Sequence, residues 1–510
     1  MLRSHAAAIS AGIVFAFSAA LSTSGRLAAQ VADNPFDVLA VRHDSGVLAN
    51  FAVTHQVVWR QRIHVSGAQW LRLRFAEDSV LERDGFLTLT SGKDQNVQFF
   101  EAWSLRDYGG YSAGFNGDTV DVELWAAPST LRSRVVIVGV DAGRPASVGV
   151  LSQCGPADDR LPSTDPRQAR QWPTGCTTWL ISKFAGLTAG HCTATAAQQM
   201  HFNVPPSSSS GSIVLPAPQD QYAYDTASLQ RLNGGVGRDW AAFATVRNSN
   251  TGLYAGEKQG SWYELGTPVS STTIRITGYG TDSDQRNRSQ TQQTHTGPLS
   301  TWNSGATSLC YVVDTTGGNS GSPVVDERTG KAIGIHTHGG CSTNGSGCNS
   351  GTAINRTDLQ AAIAAVLRSR VAGAFEVVGM GCRGSNGTPT LAGSGTPDIG
   401  RSVQLTGSML VPNAVSVLTF GVSKTQWNSI PLPISLASAG ASGCSIYSSI
   451  DASEGLVSTN GLWSRTITLP NDKTWIGAMA YFQWFTFDSA ANTLGITTSN
   501  ALGIEVGGLR

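Results

Sequence analysis

The sequence predicts an all-β protein built from several domains, and three observations carry that prediction. Glycine is abundant at 58 residues while only 14% of the chain is charged; apolar and polar residues alternate with period two in many short runs; and a single segment keeps a helical period. The 510 residues have room for about three domains of roughly 100–200 residues each. With 35 basic and 35 acidic residues the formal net charge is zero, so no long-range field recommends nucleic acid or an anionic membrane as partner.

The elements follow in chain order. Residues 1–29 have the form of a signal peptide, with Arg3 as a weak basic region, an apolar run around Ala11 to Leu21 and small residues around Ala29. That run is short for a membrane span, and no later segment approaches the ~20 apolar residues a spanning helix needs. The expectation is an exported protein, extracellular or periplasmic, that does not span the membrane. Its eight cysteines, Cys154, Cys176, Cys192, Cys310, Cys341, Cys348, Cys382 and Cys444, form an even set, and export favours disulfides over free thiols or metal thiolates.

Residues 30–150 are expected to be a β-sandwich. "WLRLRF" sends Leu71, Leu73 and Phe75 to one face and Arg72 and Arg74 to the other, and "TVDVELW" sets Val120, Val122 and Leu124 against Asp121 and Glu123. The aromatics Trp70, Phe75, Phe99, Phe100, Trp103 and Trp125 are assigned to its core, with a ligand groove as the alternative. The stretch "CGPADDRLPSTDPRQARQWPTGC" reads as an exposed interdomain crossing and a cleavage region. A second domain, residues 154–372, ends in the helical segment "RTDLQAAIAAVLRSR", where Thr357 is expected as N-cap, Asp358 complements the dipole, and Leu359, Ile363, Val366 and Leu367 form one apolar stripe. From residue 374 to 510 the pattern returns to β and suggests another sandwich. Cys382 and Cys444 are alone there, so their pairing is the simplest assignment.

Three short stretches of the middle segment can do chemistry. In "FAGLTAGHCTAT", His191 follows an apolar run, and a Cys176–Cys192 bridge would hold its turn rigid, as a general base requires. In "GGVGRDWAAFATV", Asp239 stands at the mouth of an apolar run, where a carboxylate could hold an imidazole in one tautomer; Asp220 and Asp225 compete for that role. In "DTTGGNSGSP", Ser320 sits among glycines, which allow a sharp turn that aims backbone amides at one oxygen. A serine hydroxyl needs a neighbouring base before it becomes a useful nucleophile.

Taken together, "TAGHC", "GNSGSP", the order His, Asp, Ser and the Cys176–Cys192 spacing resemble the trypsin/chymotrypsin-like serine endopeptidases. The resemblance covers roughly residues 154–372. It implies a chymotrypsin-like double β-barrel, two packed six-stranded barrels with the site in the cleft between them, closed by a C-terminal helix and set between two β-sandwich-like domains. It implies that Ser320 attacks the scissile carbonyl, that His191 is base and then acid, that Asp239 orients His191, and that the backbone amides of Gly318 and Ser320 form the oxyanion hole. No cofactor and no metal are implied; the partners are protein or peptide substrates.

The local resemblance is to bacterial glutamyl endopeptidases, the V8-like branch, through "DTTGGNSGSPV" followed by "GIHTHGG". In that branch residues at the places of Thr315 and His336 hold an acidic substrate side chain, and His338 is the alternative under a shifted alignment. Asp314, by contrast, occupies the place that gives Lys/Arg specificity in the trypsin branch. The acidic preference is the leading expectation, the basic one its rival. "HTHGGCSTNGSGC" could also form a zinc site of two histidines and two cysteines, though a disulfide loop is expected. Many animal relatives have an Asp before the nucleophile that pairs with a new N-terminal ammonium after cleavage; here the residue is Asn319. Residues 30–150 are then either a propeptide, cut near Cys154 to Arg160, or a lasting accessory domain. Pairing among Cys154, Cys310, Cys341 and Cys348 is left open at three connectivities. The rival class is a non-catalytic surface or glycan-binding protein that uses the protease fold as scaffold between its flanking domains.

Overall fold

The computed structural model describes residues 28–29, 32, 34–145, 151–193, 197–270, 272–302, 306–370 and 372–508. The signal-peptide assignment falls almost wholly outside them. No helix among the described residues is long and apolar enough to cross a membrane.

The first module pairs a sheet of Phe36–Asp44, Val136–Gly143, Trp70–Phe75 and Phe115–Asn116 with a sheet of Gln56–His64, Thr119–Ala126, Phe86–Ser91 and Val97–Phe100. The expected alternation holds in Thr119–Ala126, where Val120, Val122 and Leu124 are buried. It fails at Arg72. That side chain is buried because its face of the sheet packs on the next module: it pairs with the Asp141 carboxylate of the neighbouring strand at 2.7 Å and donates across the boundary to Ala197 O at 2.6 Å. Phe75 and Phe100 are in the core of the sandwich, Trp70 is buried instead against Trp172 of the next module, and Phe99 is 44% exposed.

The middle of the chain forms two barrels of the same strand order. Gln168–Trp172, Cys176–Leu180, Ala185–Thr188, Asp239–Thr245, Gln221–Asn233 and Gln199–His201 close the first; Thr273–Gly278, Gln293–Thr301, Ser308–Tyr311, Asn349–Ala353, Ala332–Gly339 and Pro323–Asp326 close the second. The helix Thr357–Arg368 follows the second barrel but packs back onto the first, where Leu359, Ile363 and Val366 join Trp240, Ala242 and Ala244 in one core cluster. Its N-cap is Arg356, not Thr357; Asp358 turns back to the Arg356 guanidinium at 2.6 Å and accepts Leu359 N–H at 2.8 Å.

The last module packs a five-stranded sheet against a three-stranded one over Leu391, Leu405, Leu418 and Trp484, with Trp463 and Trp484 meeting edge to face at 4.8 Å. Disulfides join Cys154 to Cys341, Cys176 to Cys192, Cys310 to Cys348 and Cys382 to Cys444.

Candidate active site

His191 lies on the 3-10 turn Gly190–Thr193, directly after the strand Ala185–Thr188. Gly190 lets this turn press on the neighbouring strand, since a Cβ there would sit 2.0 Å from Leu232 O. The Cys176–Cys192 bridge fastens the turn to the strand Cys176–Leu180. The imidazole Nδ1 is 2.6 Å from Asp239 Oδ2, and the backbone N–H of His191 donates to Asp239 Oδ1 at 3.1 Å.

Asp239 is fully buried at the start of its strand. Its main chain is gripped by Thr352, whose hydroxyl donates to Asp239 O at 2.7 Å and accepts Asp239 N–H at 3.2 Å. A carboxylate so placed accepts a hydrogen bond from Nδ1–H, which keeps the ring proton of a neutral imidazole on Nδ1 and leaves Nε2 as the basic nitrogen. That Nε2 is buried and makes no hydrogen bond. The competing carboxylates lie elsewhere: Asp220 pairs with Lys258 and Asp225 with Arg370, each at 2.8 Å.

Ser320 is buried at the end of a loop that only glycines could build. Gly318 has φ +105°, with Tyr279 O 2.4 Å from where a Cβ would stand; Gly321 has φ +92°, with Thr177 O at 2.0 Å. The first barrel braces the loop: Thr177 N–H donates to Ser320 O and Thr177 Oγ1 to Gly318 O, both at 2.8 Å, and Trp179 Nε1 donates to Gly321 O at 2.9 Å. Ser320 Oγ donates to Thr337 O at 3.2 Å. The hydroxyl must therefore rotate to engage His191 Nε2, a contact that often tightens only with substrate bound.

The residues assigned to the substrate pocket divide. Thr315 is fully buried, its Oγ1 accepting from Asn349 Nδ2 at 2.9 Å. His336 is fully buried too, with Nδ1 2.7 Å from the Tyr311 hydroxyl. Burial, then the neighbouring His338 and His191, push its pKa down to about 3, so it is neutral in the free protein. Asp314 is buried with its carboxylate engaged: Oδ1 accepts Cys154 N–H at 2.7 Å and Oδ2 accepts Asp159 N–H at 2.9 Å. His338 faces His191 and Asp239, its ring 6.0 Å from that of His191 and its Nδ1 4.0 Å from Asp239 Oδ2.

All eight cysteines are in disulfides, so "HTHGGCSTNGSGC" has no thiolate to offer zinc. The linker departs from expectation as well. Cys154 is bridged to Cys341, Cys154 N–H and Asp159 N–H are held by Asp314, and Arg160 is 2% exposed. Its polar composition marks it as surface only because the carboxylate and hydroxyl groups that receive it lie about 155 to 160 positions further along the chain.

Ala28, Ala29 and Ala32 bridge the two barrels. Ala28–Ala29 pair antiparallel with His338–Gly339 on the second barrel, and Ala32 N–H donates to Gly175 O on the first at 2.8 Å.

The Trypsin family model matches residues 162–363, the segment that holds both barrels together with His191, Asp239 and Ser320. Residues 162–363 are a trypsin-family domain. The glutamyl endopeptidase of Bacillus licheniformis is similar, 26% identical over 204 residues, which is 36% of this chain and 56% of that protein. The match thus spans little more than half the length of that relative. Among solved structures, a Glu endopeptidase in complex with MPD aligns at 19% identity and TM-score 0.33, covering 41% of this chain and 97% of its own. A thermostable serine protease AL20 from an extremophilic microorganism aligns at 14% identity and TM-score 0.33, covering 40% and 98%. The trypsin-family domain and the V8-like resemblance read from the sequence are in accord with the family-model match and the Bacillus relative.

Proposed function

We propose that this protein is a serine endopeptidase that cleaves peptide bonds through Ser320, His191 and Asp239. The observation that carries the reading is the 2.6 Å contact of His191 Nδ1 with the buried Asp239 carboxylate, in a trypsin-family domain whose Ser320 sits on a glycine-built loop.

The chemistry follows from the donors and acceptors. Ser320 Oγ attacks the scissile carbonyl carbon while its proton passes to His191 Nε2, and the imidazolium is stabilised by Asp239. The carbonyl oxygen becomes an oxyanion facing the backbone amides of Gly318 and Ser320. Collapse breaks the C–N bond, and the leaving amine takes the proton from Nε2. Water then attacks the acyl carbon while its proton passes to Nε2, and collapse breaks the ester C–O bond as Nε2 returns the proton to Ser320 Oγ.

For the residue before the cleaved bond, the proposal is an acidic side chain received by Thr315 and His336. Two features support it. The Asp314 carboxylate already accepts two backbone N–H groups, which leaves it a poor partner for Lys or Arg. His336 is a neutral imidazole next to a phenol, able to donate one N–H to a carboxylate whose charge would in turn raise the histidine pKa. Export to an oxidising compartment is part of the proposal, supported by the four disulfides.

The test is casein hydrolysis, fluorophosphonate labelling and a peptide-library cleavage profile on the full chain and on Ser320→Ala. Turnover and labelling that vanish in the variant, with cuts after Glu or Asp, are expected. A binding activity that survives Ser320→Ala, with no turnover or labelling in either protein, would favour the scaffold reading instead.

A further inference from the structure

Arg160 lies in the linker, outside the segment matched by the family model, yet its guanidinium is buried against the nucleophile loop. All five of its N–H donors have acceptors. Nε and Nη2 bind the two oxygens of Asp158 at 2.8 and 2.6 Å; Nη2 also donates to Thr281 O at 2.9 Å; Nη1 donates to Thr316 Oγ1 at 2.8 Å and to Asn319 Oδ1 at 3.4 Å. Asn319 immediately precedes Ser320, and its Oδ1 also accepts Thr316 N–H at 3.0 Å. Gly280 leaves the room this cluster needs: a Cβ there would lie 2.2 Å from Asn319 Oδ1 and 2.3 Å from Arg160 Nη1.

Two physical points give this arrangement a role. The 316–320 loop contains Gly317 and Gly318, and glycine loses the most conformational freedom on ordering, so its amides stay aimed only if something outside the loop holds them. Asn319 is neutral and cannot be fixed by charge alone. A guanidinium with its own counter-ion two residues upstream supplies a rigid fork of donors instead. The linker is anchored at its other end too, by the Cys154–Cys341 bridge and by Asp314.

We infer that Arg160, oriented by Asp158, is a positioning residue that holds the 316–320 loop in its working shape, so that the loop is assembled while the 154–160 linker is uncut. This rests on the serine endopeptidase reading for its kinetic consequence, though not for its structural one. The linker is then a wall of the site rather than a segment to be removed.

The experiment compares the full chain with Arg160→Lys, whose single ammonium keeps the charge but cannot serve Asp158, Thr281, Thr316 and Asn319 together, and with Arg160→Ala. Steady-state kinetics should show kcat falling by about 10²-fold in the alanine variant, the scale of a lost oxyanion donor, with KM changed far less and the lysine variant intermediate. Hydrogen exchange should show protection lost in 316–322 and kept in 239–245. If Arg160→Ala does not fold, Arg160→Lys alone decides by the same two readouts. A folded Arg160→Lys with wild-type kcat and wild-type exchange at 316–322 overturns the inference. Reduced, intact-mass analysis of fluorophosphonate-labelled protein completes the test: label on a chain unbroken between 154 and 160 is expected, and label found only on chains cut there overturns it. Should the wild type show no turnover or labelling, the endopeptidase reading fails, while exchange at 316–322 still decides the positioning role.

Discussion

Replacing Asp239 by Asn tests the catalytic reading at its most defined contact. The substitution preserves size, and the geometry dictates how the amide must sit. His191 N–H already donates to Asp239 Oδ1 at 3.1 Å, so the amide oxygen stays at that position and the NH₂ falls where Oδ2 now lies, 2.6 Å from Nδ1. An N–H facing Nδ1 forces that nitrogen to accept, which moves the ring proton to Nε2. A protonated, neutral Nε2 cannot take the Ser320 proton. In a related triad this change of tautomer lowers kcat by roughly 10⁴, equivalent to about 5 kcal/mol of barrier. Asp239→Asn is therefore expected to lose about three to four orders of magnitude in kcat on a peptide substrate at neutral pH, with KM little changed and thermal unfolding close to wild type. A folded Asp239→Asn protein that keeps more than about a tenth of wild-type kcat would refute the assignment of roles.

Further outcomes are expected. Asp314→Ala removes the acceptor for Cys154 N–H and Asp159 N–H, so it should destabilise the fold by about 1–3 kcal/mol without changing the residue preferred before the cut; a switch in that preference would return Asp314 to the pocket. Acid should unfold the protein through its buried histidines. His336, at about 3, and His201, pushed well down by burial, stay neutral when folded, while their unfolded forms bind protons as pH falls below about 6.5. Stability is then complete above that value and falls between about pH 6.5 and 3 by up to ~2.7 kcal/mol per pH unit for the two groups together. Urea midpoints at pH 7 and 4.5, repeated on His336→Asn, check this, and an unchanged pH slope in the variant counts against it. A chain without residues up to Asn34 should show higher kcat/KM than one that retains them, because Ala28–Ala29 and Ala32 bridge the two barrels and Asn34 exchanges two amide hydrogen bonds with Gln290; an equal value in both chains would show that the segment does not compete with substrate.

What was legible in the sequence was whatever chemistry writes into a few consecutive residues. His191 and Ser320 announced themselves because a rigid histidine turn and a glycine-built serine loop each need a local pattern, and Asp239 because a carboxylate opened an apolar strand. The helix at 357–368 was legible from its apolar stripe, although its cap, Arg356 rather than Thr357, was not. Arg160, Tyr311 and Asn349 were missed for a different reason. Arg160 reads as one more charge in a proline-rich linker, and Asn349 as a turn residue, yet Asn349 Nδ2 donates to Val313 O at 2.7 Å while its Oδ1 accepts Gly340 N–H at 2.8 Å. Each is placed by partners on strands far from it in sequence, and no period or motif encodes such a meeting. The same holds for the Cys154 and Asp159 N–H groups that the Asp314 carboxylate accepts.

The first module bears on whether residues 30–150 are shed, and its contacts argue that cutting alone would not release it. Trp70 and Trp172 meet edge to face at 4.5 Å with Ile213 and Leu215 packed around them, all buried. Gln221 both accepts Gly114 N–H at 2.7 Å and donates to Gly114 O at 2.8 Å, and Asn116 does the same for Leu215 at 2.9 Å each way. Buried Arg72, paired with Asp141, donates to Ala197 O across the same boundary. Separation would expose two tryptophans and leave a paired, desolvated charge to be rehydrated, the pattern of a lasting rather than a transient interface. A protease nick introduced between residues 145 and 151 should therefore leave the first module bound, co-eluting with the barrels in gel filtration at micromolar concentration. Its clean release there, with the barrels still folded, would instead mark it as a propeptide that cleavage alone discards.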